Sequence, residues 1–563
     1  MVLKTIKNGN IITEKFSGKF DFETDLLVAG LGTAGAVCFY NAVKAGIKCI
    51  GIEKQSILGG TATAACVQDY YYGQLTGSLE KINKTVDFLT SKAFVPSYSH
   101  PSEYSNSLSA KTVALETPGN NDSYIALDCI ITGVIMEDKT VCGVRAFYRK
   151  HFIDIKAKII ADNTNGFICS LAECKIIKGR KSDDKTMRAS KTIAFLQDGK
   201  TNGEWASLGY IDFLDEFSLS KKYLEAEVTP PFLLSRYDDK KRPIFEGTMI
   251  GKRETERIRT KYDITFDDLI NLKEHEKPIF YGFASFDNVN DDLEKENENL
   301  QNWILLCYMR HIGLTFCVPY ESILPKNREG IMVIGKTLGA THDAAALVRM
   351  KAEMEKCGEA AAYAALIALN DNCSLKDVDY NKLKKHLISS GCLKPEKLGF
   401  FELRKNEKDE HEEIKIPKTA DEIKAGFLSK KPQFALFSVL RENGKNITED
   451  LYSWTKNDNK TLKSNSAIAL GLLGDKRCLP VLRDILKTEP QIHNVFNGKH
   501  YFGWLEYDLW SDLIKAIVLI GRFKDEESLE TLKKLRKKDF SEALKALRIY
   551  QYIDEAIQTI EKG

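Results

Sequence analysis

Three glycines at a fixed spacing follow the first strongly apolar segment of the chain. The run 25–29 ends in Gly30, Gly32 and Gly35, and a helix-compatible run over 36–45 follows. Gly30 permits a sharp turn, Gly32 lets a ligand approach the peptide, and Gly35 lets strand and helix pack closely. The N-terminus of a helix at this turn would present N–H groups and partial positive charge to phosphates. The predicted phosphate-binding residues are Gly30, Gly32, Thr33, Ala34 and Gly35.

An acidic residue ends the next apolar run, which spans 48–53. Glu53 lies 18 residues after Gly35, where a carboxylate can accept hydrogen bonds from ribose hydroxyls. The same charge would repel a 2′-phosphate, which argues against NADP at this site. The order of strand, glycine turn, helix, strand and acid predicts a dinucleotide-binding βαβ unit. A glycine-rich turn with a purely structural role is the less favoured alternative.

The segment after Glu53 resembles a known family. Glu53-Lys-Gln-Ser-Ile-Leu-Gly59-Gly60-Thr61-Ala-Thr63 is similar to a motif of the FAD-dependent oxidoreductase family, in the glutathione-reductase-like FAD superfamily. Asp162-Asn-Thr164 and the segments 318–326 and 331–349 are similar to three further motifs of that family. The resemblance covers roughly residues 22–393 and implies FAD as the cofactor. It implies these further FAD contacts: Glu53, Lys54, Gly59, Gly60, Thr61, Thr63, Asp162, Thr164, Gly335, His342 and Val348.

Family likeness also suggests where catalytic groups lie. It places His342 close to the flavin ring, at the start of an Ala-rich segment in which 345–369 is expected to form one long helix. A histidine titrates near neutral pH, so His342 is a candidate base or flavin contact, with a helix cap or a core residue as the alternative. Arg349 would lie two turns further on the same face and offset anionic charge; the alternative is an ion pair within the domain. Arg310 and His311 are weaker candidates for substrate contacts.

The predicted fold is α/β, with a Rossmann-like FAD-binding domain, an inserted α+β substrate domain and a C-terminal all-α HEAT-like domain. The segment 465–482 resembles a HEAT-like repeat, with a weaker copy about 50 residues later. These helices are expected to brace the enzyme or a homo-oligomer, or else to bind a partner protein. The predicted ranges are 1–179 and 318–393 for the FAD-binding domain, 180–317 for the substrate domain, 394–432 for a linker and 433–563 for the helical repeats.

The composition of the chain argues against several classes of function. The 563 residues are 43% apolar and 28% charged with a net charge of +2, which argues against recruitment of nucleic acid or an acidic membrane. No apolar run reaches the roughly 18 residues of a membrane span, and the first residues lack a signal sequence. Thirteen scattered cysteines argue against a disulfide framework and suggest a cytoplasmic location. No cysteine or histidine spacing suggests a metal site.

These observations predict an enzyme that transfers a hydride between a small hydroxyl-bearing substrate, such as a sugar or hydroxy acid, and flavin N5. Two alternatives stay open. One is a fumarate-reductase-like enzyme that reduces an activated alkene, which Arg310 and His311 permit. The other is a non-catalytic flavoprotein or scaffold that binds a partner through its helical repeats.

Overall fold

A computed structural model of the chain contains two compact units. The first comprises Met1–Glu296 and Leu314–Gly399, and the second Asn297–Gly313 and Phe400–Gly563. The five sequence-based domain ranges stay predictions. The structure describes residues 1–67, 70, 73–92, 108–116, 122–181, 184–197, 200–209, 217–218, 220–221, 241–287, 297–309, 312–402, 412–488, 492–494, 509–541, 544–545 and 548–562.

The first unit is built on a nine-stranded sheet with parallel and antiparallel parts. The strands up to residue 333 are β1 (Val2–Lys7), β2 (Asn10–Lys15), β3 (Phe22–Ala29), β4 (Cys49–Ile52), β5 (Tyr124–Ala126), β6 (Ile130–Glu137), β7 (Thr140–Tyr148), β8 (His151–Asp162), β9 (Ile176–Ile177), β10 (Ala189–Gln197), β11 (Lys200–Gly209), β12 (Lys241–Glu246), β13 (Arg257–Ile258), β14 (Pro278–Ser285), β15 (Ile312–Pro319) and β16 (Ile331–Val333). In the large sheet β5, β4, β3, β8 and β16 are parallel neighbours, with β3 at their centre. The antiparallel strands β7, β6, β1 and β2 extend the sheet from β8.

The register of the parallel strands aligns their carboxyl ends. Ala29 at the end of β3 pairs with both Ile52 of β4 and Asp162 of β8, and Asp162 also pairs with Val333 of β16. The chain segments that follow β3, β4, β8 and β16 therefore leave the sheet at one edge. Open α/β sheets bind ligands at such an edge. Strands β6, β7 and β8 form an antiparallel meander.

An Ala-rich segment forms two helices, so the prediction of a single helix over 345–369 is wrong. Arg349 ends the first helix, and Met350 has extended backbone angles, φ −59° and ψ 152°. The Arg349 guanidinium is held by Asp287, and Met350 is 3% exposed. Tertiary contacts thus override the helix propensity of alanine. The helices are α1 (Thr33–Lys44), α2 (Ser78–Lys92), α3 (Leu108–Leu115), α4 (Phe167–Leu171), α5 (Phe266–Ile270), α6 (Glu298–Gln301), α7 (His342–Val348), α8 (Lys351–Asn370), α9 (Tyr380–Ser390), α10 (Ala420–Leu428), α11 (Gln433–Ser438), α12 (Thr448–Trp454), α13 (Lys460–Leu472), α14 (Leu479–Lys487), α15 (Asp512–Phe523), α16 (Leu529–Arg536) and α17 (Ile549–Glu561).

Helix α8 packs directly on α1 through a glycine. A Cβ atom at Gly358 would lie 2.0 Å from the carbonyl oxygen of Ala34 and 3.1 Å from the backbone nitrogen of Cys38. Both are backbone atoms, which cannot move aside as a flexible side chain can. Gly358 therefore sets the distance between α8 and the helix that follows the glycine turn.

We expect Gly358→Ala to lower the free energy of unfolding of the first unit by about 3 kcal/mol, since overpacking against backbone costs more than side-chain crowding. Alanine would by itself favour a helix by about 1 kcal/mol, so the clash outweighs propensity. Urea denaturation followed by circular dichroism measures the change. Gly46→Ala is the control, because no atom lies within 4 Å of its Cβ position and only its positive φ of 84° adds a cost. Equal stability of the two variants would contradict this packing.

The second unit is mainly helical. Its strands are β17 (Phe400–Glu402), β18 (Glu412–Glu413), β19 (Ile492–Asn494) and β20 (Leu509–Ser511). Helices α13 and α14 are joined by Gly474 and by Asp475, whose side chain accepts the Arg477 N–H at 2.9 Å. Asp525 lies between α15 and α16 in the same way, and its carboxylate is 2.5 Å from Arg483 of α14. These two helix pairs lie where the sequence predicted repeats, and their HEAT-like character stays a prediction. In the described part of the chain, every helix is too short or too polar to cross a bilayer.

Candidate functional site

The glycine turn lies at the edge where the parallel strands end. Gly30 has a φ of 82°, and a Cβ there would lie 2.7 Å from the carbonyl oxygen of Asn163, so only glycine fits. A Cβ at Gly35 would lie 1.9 Å from the carbonyl oxygen of Gly30, which explains the close approach of α1 and β3. Strand, turn and helix form as the glycine spacing predicted.

The N-terminus of α1 is open. Its N-cap residue is Gly32, no side chain caps the first turn, and that turn contains no acidic residue. The backbone N–H groups of a first turn have no partner within their own helix. Gly32 and Thr33 are partly exposed, so a ligand can reach this end of the helix. The residues present therefore fit a diphosphate.

A second glycine pair lies beside this turn. The Gly59 N–H donates to the carbonyl of Leu31 at 2.9 Å, and the Thr33 hydroxyl lies 3.4 Å from the carbonyl of Gly59. A Cβ at Gly60 would lie 2.9 Å from the Cα of Gly32. The two glycine loops thus touch through their backbones, and together they form the wall around the N-terminus of α1.

Glu53 follows β4 at the same edge and is 9% exposed. Its Oε1 accepts the backbone N–H of Gln55 at 3.0 Å. Burial raises the pKa of the Glu53 carboxyl above its ordinary value, although several backbone N–H groups oppose that effect. Lys54, next in the chain, is exposed. The position of Glu53 relative to Gly30 suits a carboxylate that binds ribose hydroxyls.

Asp162 is the last residue of β8, and Asn163, which follows it, contacts both the glycine turn and Gly335. Asp162 is fully buried and accepts hydrogen bonds from the Thr164 N–H at 2.8 Å, the Thr164 hydroxyl at 2.5 Å and the Cys169 N–H at 3.1 Å. Burial raises its pKa despite these donors. Asn163 Nδ2 donates to the Gly30 carbonyl at 3.1 Å, and its Oδ1 would lie 2.5 Å from a Cβ at Gly335. Sequence reasoning missed Asn163, although it lies within the Asp162–Thr164 motif.

Lys336, which follows Gly335, places a cation at the same edge. Its Nζ donates to the carbonyl of Lys252 and to the Thr61 hydroxyl, the latter at 3.3 Å. Burial, the largest cause, and the nearby charges of Arg349, Arg253 and Lys252 together lower the pKa of Lys336 to about 7. The residue is partly exposed. Lys336 is therefore a functional candidate that sequence reasoning did not select; the signal was a lysine after the glycine of the 331–349 motif.

Arg349 is close enough to influence Lys336 but has its own partner. Its Nη2 lies 2.8 Å from Asp287 Oδ2 and 2.7 Å from the Asp287 carbonyl oxygen. This is an ion pair within the unit, the alternative that the sequence left open. Burial, helped by the charge of Lys54, lowers the pKa of Lys252 to about 8. Positive charge is thus concentrated around Lys336.

His342 is buried in the first unit, where Glu254 links it to Arg257 through two ion pairs. Its Nδ1 is 2.8 Å from Glu254 Oε2, and Glu254 Oε1 is 2.9 Å from Arg257 Nε. Arg257 donates to the carbonyls of Ala340 and Gly179 at 2.9 and 2.8 Å. His342 is 2% exposed, and its Nε2 has no hydrogen-bond partner among the described residues. His342, Glu254 and Arg257 together hold the turn that leads into α7. A catalytic role for His342 stays a prediction.

We expect His342→Gln to destabilise the protein more at acidic than at alkaline pH. Burial alone would lower the pKa of His342, but the hydrogen bond and charge of Glu254 outweigh it and raise the pKa above 6.5. A raised folded-state pKa stabilises the fold below the unfolded-state value, and this contribution is lost as pH rises through the folded-state value. Chemical denaturation of wild type and variant across that range checks the sign. A stability difference that grows with pH would contradict it.

The remaining predicted residues vary in accessibility. Thr61 is partly exposed beside Lys336, and Gly335 has a φ of 75° that favours glycine. Thr63 and Val348 are buried, at 0% and 1% exposure. Arg310 and His311 lie outside the described residues. Among the described residues, no three His, Cys, Asp or Glu side chains are placed to hold a metal ion.

Comparison with known proteins gives a family match. The model of a family described as FAD dependent oxidoreductase matches residues 25–246 and 245–387. No curated protein matches.

Among solved structures, three similar chains illustrate the level of likeness. A geranylgeranyl bacteriochlorophyll reductase-like protein from Thermoplasma acidophilum is 14% identical, with 91% of this chain and 98% of that chain covered and a TM-score of 0.34. A p-nitrophenol 4-monooxygenase from Pseudomonas putida DLL-E4 is 10% identical, with coverages of 66% and 87% and a TM-score of 0.34. A myxobacterial chondrochloren halogenase is 11% identical, with coverages of 65% and 78% and a TM-score of 0.33. The structural overlap is low in each case.

Proposed function

The chain belongs to the FAD dependent oxidoreductase family, and from that premise we propose that it oxidises a small hydroxyl-bearing molecule, such as a sugar or hydroxy acid. The protein is an enzyme and FAD is its cofactor. The observation that carries the proposed reaction is Lys336, a lysine with a pKa of about 7 at the edge where the glycine turn lies.

Backbone N–H groups and charged side chains of the chain hold FAD. The N-terminus of α1, with Gly32 as its open cap, binds the diphosphate, and Gly60 closes the other side of the turn. Glu53 accepts hydrogen bonds from the ribose hydroxyls. Asp162 and Asn163 hold the turn in shape from β8. When bound, FAD supplies a ring that accepts a hydride at N5.

Lys336 takes the substrate's hydroxyl proton. A general base works best when its pKa lies near the working pH, and a lysine reaches that range when burial and other cations disfavour its charged form. Both conditions hold for Lys336. Once protonated, Lys336 adds to the positive charge of Lys252, Arg253 and Arg349, which stabilises negative charge that develops during the reaction. This arrangement favours an alcohol as substrate, because its hydroxyl proton must leave as its C–H bond breaks.

The experiment is anaerobic mixing of the FAD-loaded protein with a panel of polyols and hydroxy acids, watched for loss of the visible flavin absorbance. We expect one member to bleach the flavin in a saturable way, with a slower rate when the C–H bond that breaks carries deuterium. Bleaching by a nicotinamide nucleotide alone, followed by oxygen-dependent hydroxylation of an added aromatic compound, would overturn the proposal. So would bleaching only by a chemical reductant, with re-oxidation by fumarate.

A further inference from the structure

A cavity of the first unit lies at the end of β16 opposite to Gly335. It has a volume of about 880 Å³ and is lined by seven basic and two acidic side chains. The whole chain carries a net charge of only +2. Positive charge is therefore concentrated at this cleft, which none of the FAD-binding residues lines. We define the cleft by four of its lysines, Lys139, Lys175, Lys261 and Lys326.

The backbone places these four lysines on segments that are hydrogen-bonded to one another. The Lys261 N–H donates to the Leu324 carbonyl at 2.9 Å, and the Lys326 N–H donates to the Arg259 carbonyl at 3.1 Å. The carbonyl of Lys175 accepts the Arg259 N–H at 2.9 Å, and the carbonyl of Lys139 accepts a further N–H at 3.1 Å. Residues from five parts of the chain thus meet on a fixed frame rather than on free loops.

The basic residues of the cleft divide into two groups. Arg259 is paired with Asp263 at 2.7 Å, Lys376 with Glu329 at 2.7 Å, and Arg328 with Glu173 at 3.5 Å. The side chains of the four defining lysines are exposed and have no acidic partner among the described residues. Like charges that converge on one cavity repel one another unless an anion lies between them. The four lysines therefore carry positive charge that no acidic side chain among the described residues neutralises.

We propose that this cleft binds a small polyanion, a molecule with at least two phosphate or carboxylate groups. Lysine ammonium groups are compact point charges suited to either group. The cavity lies within the range of about 300 to 1,000 Å³ typical of small-molecule sites. A single anionic group could meet only one or two lysines, whereas four lysines on separate segments suit several. The concave shape favours a small molecule over the flat face of a protein or a nucleic acid. This inference is independent of the proposed reaction.

Calorimetric titration of the FAD-loaded protein with inorganic triphosphate and, separately, citrate tests the proposal. We expect saturable binding of one ligand per chain for at least one of them, weaker as salt is added. Binding of triphosphate alone identifies a phosphate ligand, and binding of citrate alone a carboxylate ligand. The triple variant Lys175→Ala, Lys261→Ala, Lys326→Ala should bind at least about tenfold more weakly, since it removes three of the four charges that attract the anion, each of which contributes modestly in an exposed pair.

The matched control removes three lysines elsewhere on the same unit, Lys44→Ala, Lys156→Ala and Lys158→Ala, and should bind as wild type does. Flavin absorbance and circular dichroism confirm that each variant is folded, and the single charge reversal Lys326→Glu provides a milder second test. The proposal is overturned if neither ligand shows saturable binding at low salt, or if the triple variant and the control lose equal affinity. Affinity that keeps rising with polyphosphate length beyond the cleft would overturn it in favour of an extended polymer.

Discussion

Replacement of Gly32 by aspartate should weaken FAD binding strongly while the fold is retained. The carboxylate of Asp would accept the first-turn N–H groups of α1 that the diphosphate needs, and it would place like charge beside that diphosphate. Two like charges about 4 Å apart cost about 4 kcal/mol at an effective dielectric constant of 20, so we expect a loss of affinity of about 100-fold or more. Titration of the apoprotein with FAD, followed by flavin fluorescence, measures the change.

Gly32 is chosen because its backbone tolerates a side chain. Its φ is −72°, and a Cβ would approach only the end of the Asn163 side chain, at 3.1 Å. Aspartate is also a good N-cap, so the apoprotein should keep its stability to within a few tenths of a kcal/mol. The control Gly32→Asn has the same size without the charge and should lose much less affinity. If Asn and Asp weaken FAD binding equally, crowding rather than charge is the cause, and the proposed diphosphate position is wrong.

The glycine turn was predictable because its determinants are local. An apolar run, a glycine spacing, a helical run and a terminal acid lie within the segment 25–53, and each specifies its own piece of β3, α1 or β4. The family-like motifs at Asp162–Thr164 and 331–349 lie at the ends of β8 and β16, and the strand register brings those ends to the same edge. The order of strands in the sheet places Glu53 and Asn163 on either side of Gly30, which local pattern alone could not specify.

Features that depend on contacts between distant segments were not predictable in this way. The end of α7 at Arg349 depends on Asp287, which lies 62 residues earlier in the chain. The pKa of Lys336 depends on burial and on Arg253 and Lys252, more than 80 positions away. The ion pair of His342 with Glu254 is equally distant in sequence, and so the sequence indicated a titratable group without its partner. Motifs therefore identified the segments of the candidate site, while tertiary packing determines the burial and the charged neighbours of its side chains.

Among the charged residues of the site, Lys336 is the one whose substitution should slow flavin reduction most. Lys336→Met keeps the length of the side chain but removes both the charge and the proton acceptor. Loss of a general base typically costs about 100-fold to 10,000-fold, and we expect a fall of at least about 100-fold in the anaerobic reduction rate. Met suits a largely buried position, so FAD content and stability should be kept. The matched control is Lys158→Met. Lys158 is exposed, its Nζ lies 2.8 Å from Asp25 Oδ1, and the variant should react as wild type does.

Lys336→Arg separates the two roles of the lysine. Arginine keeps the positive charge but does not give up its proton in proteins. In wild type the neutral amine accepts the proton, so the rate should rise with pH through about 7, the pKa of Lys336. In Lys336→Arg the rate should be low and without that rise, because no neutral form is available. If the arginine variant reacts at the wild-type rate, Lys336 acts only through its charge; if the pH dependence persists unchanged in both variants, the proton acceptor is another residue, and His342 becomes the first to test.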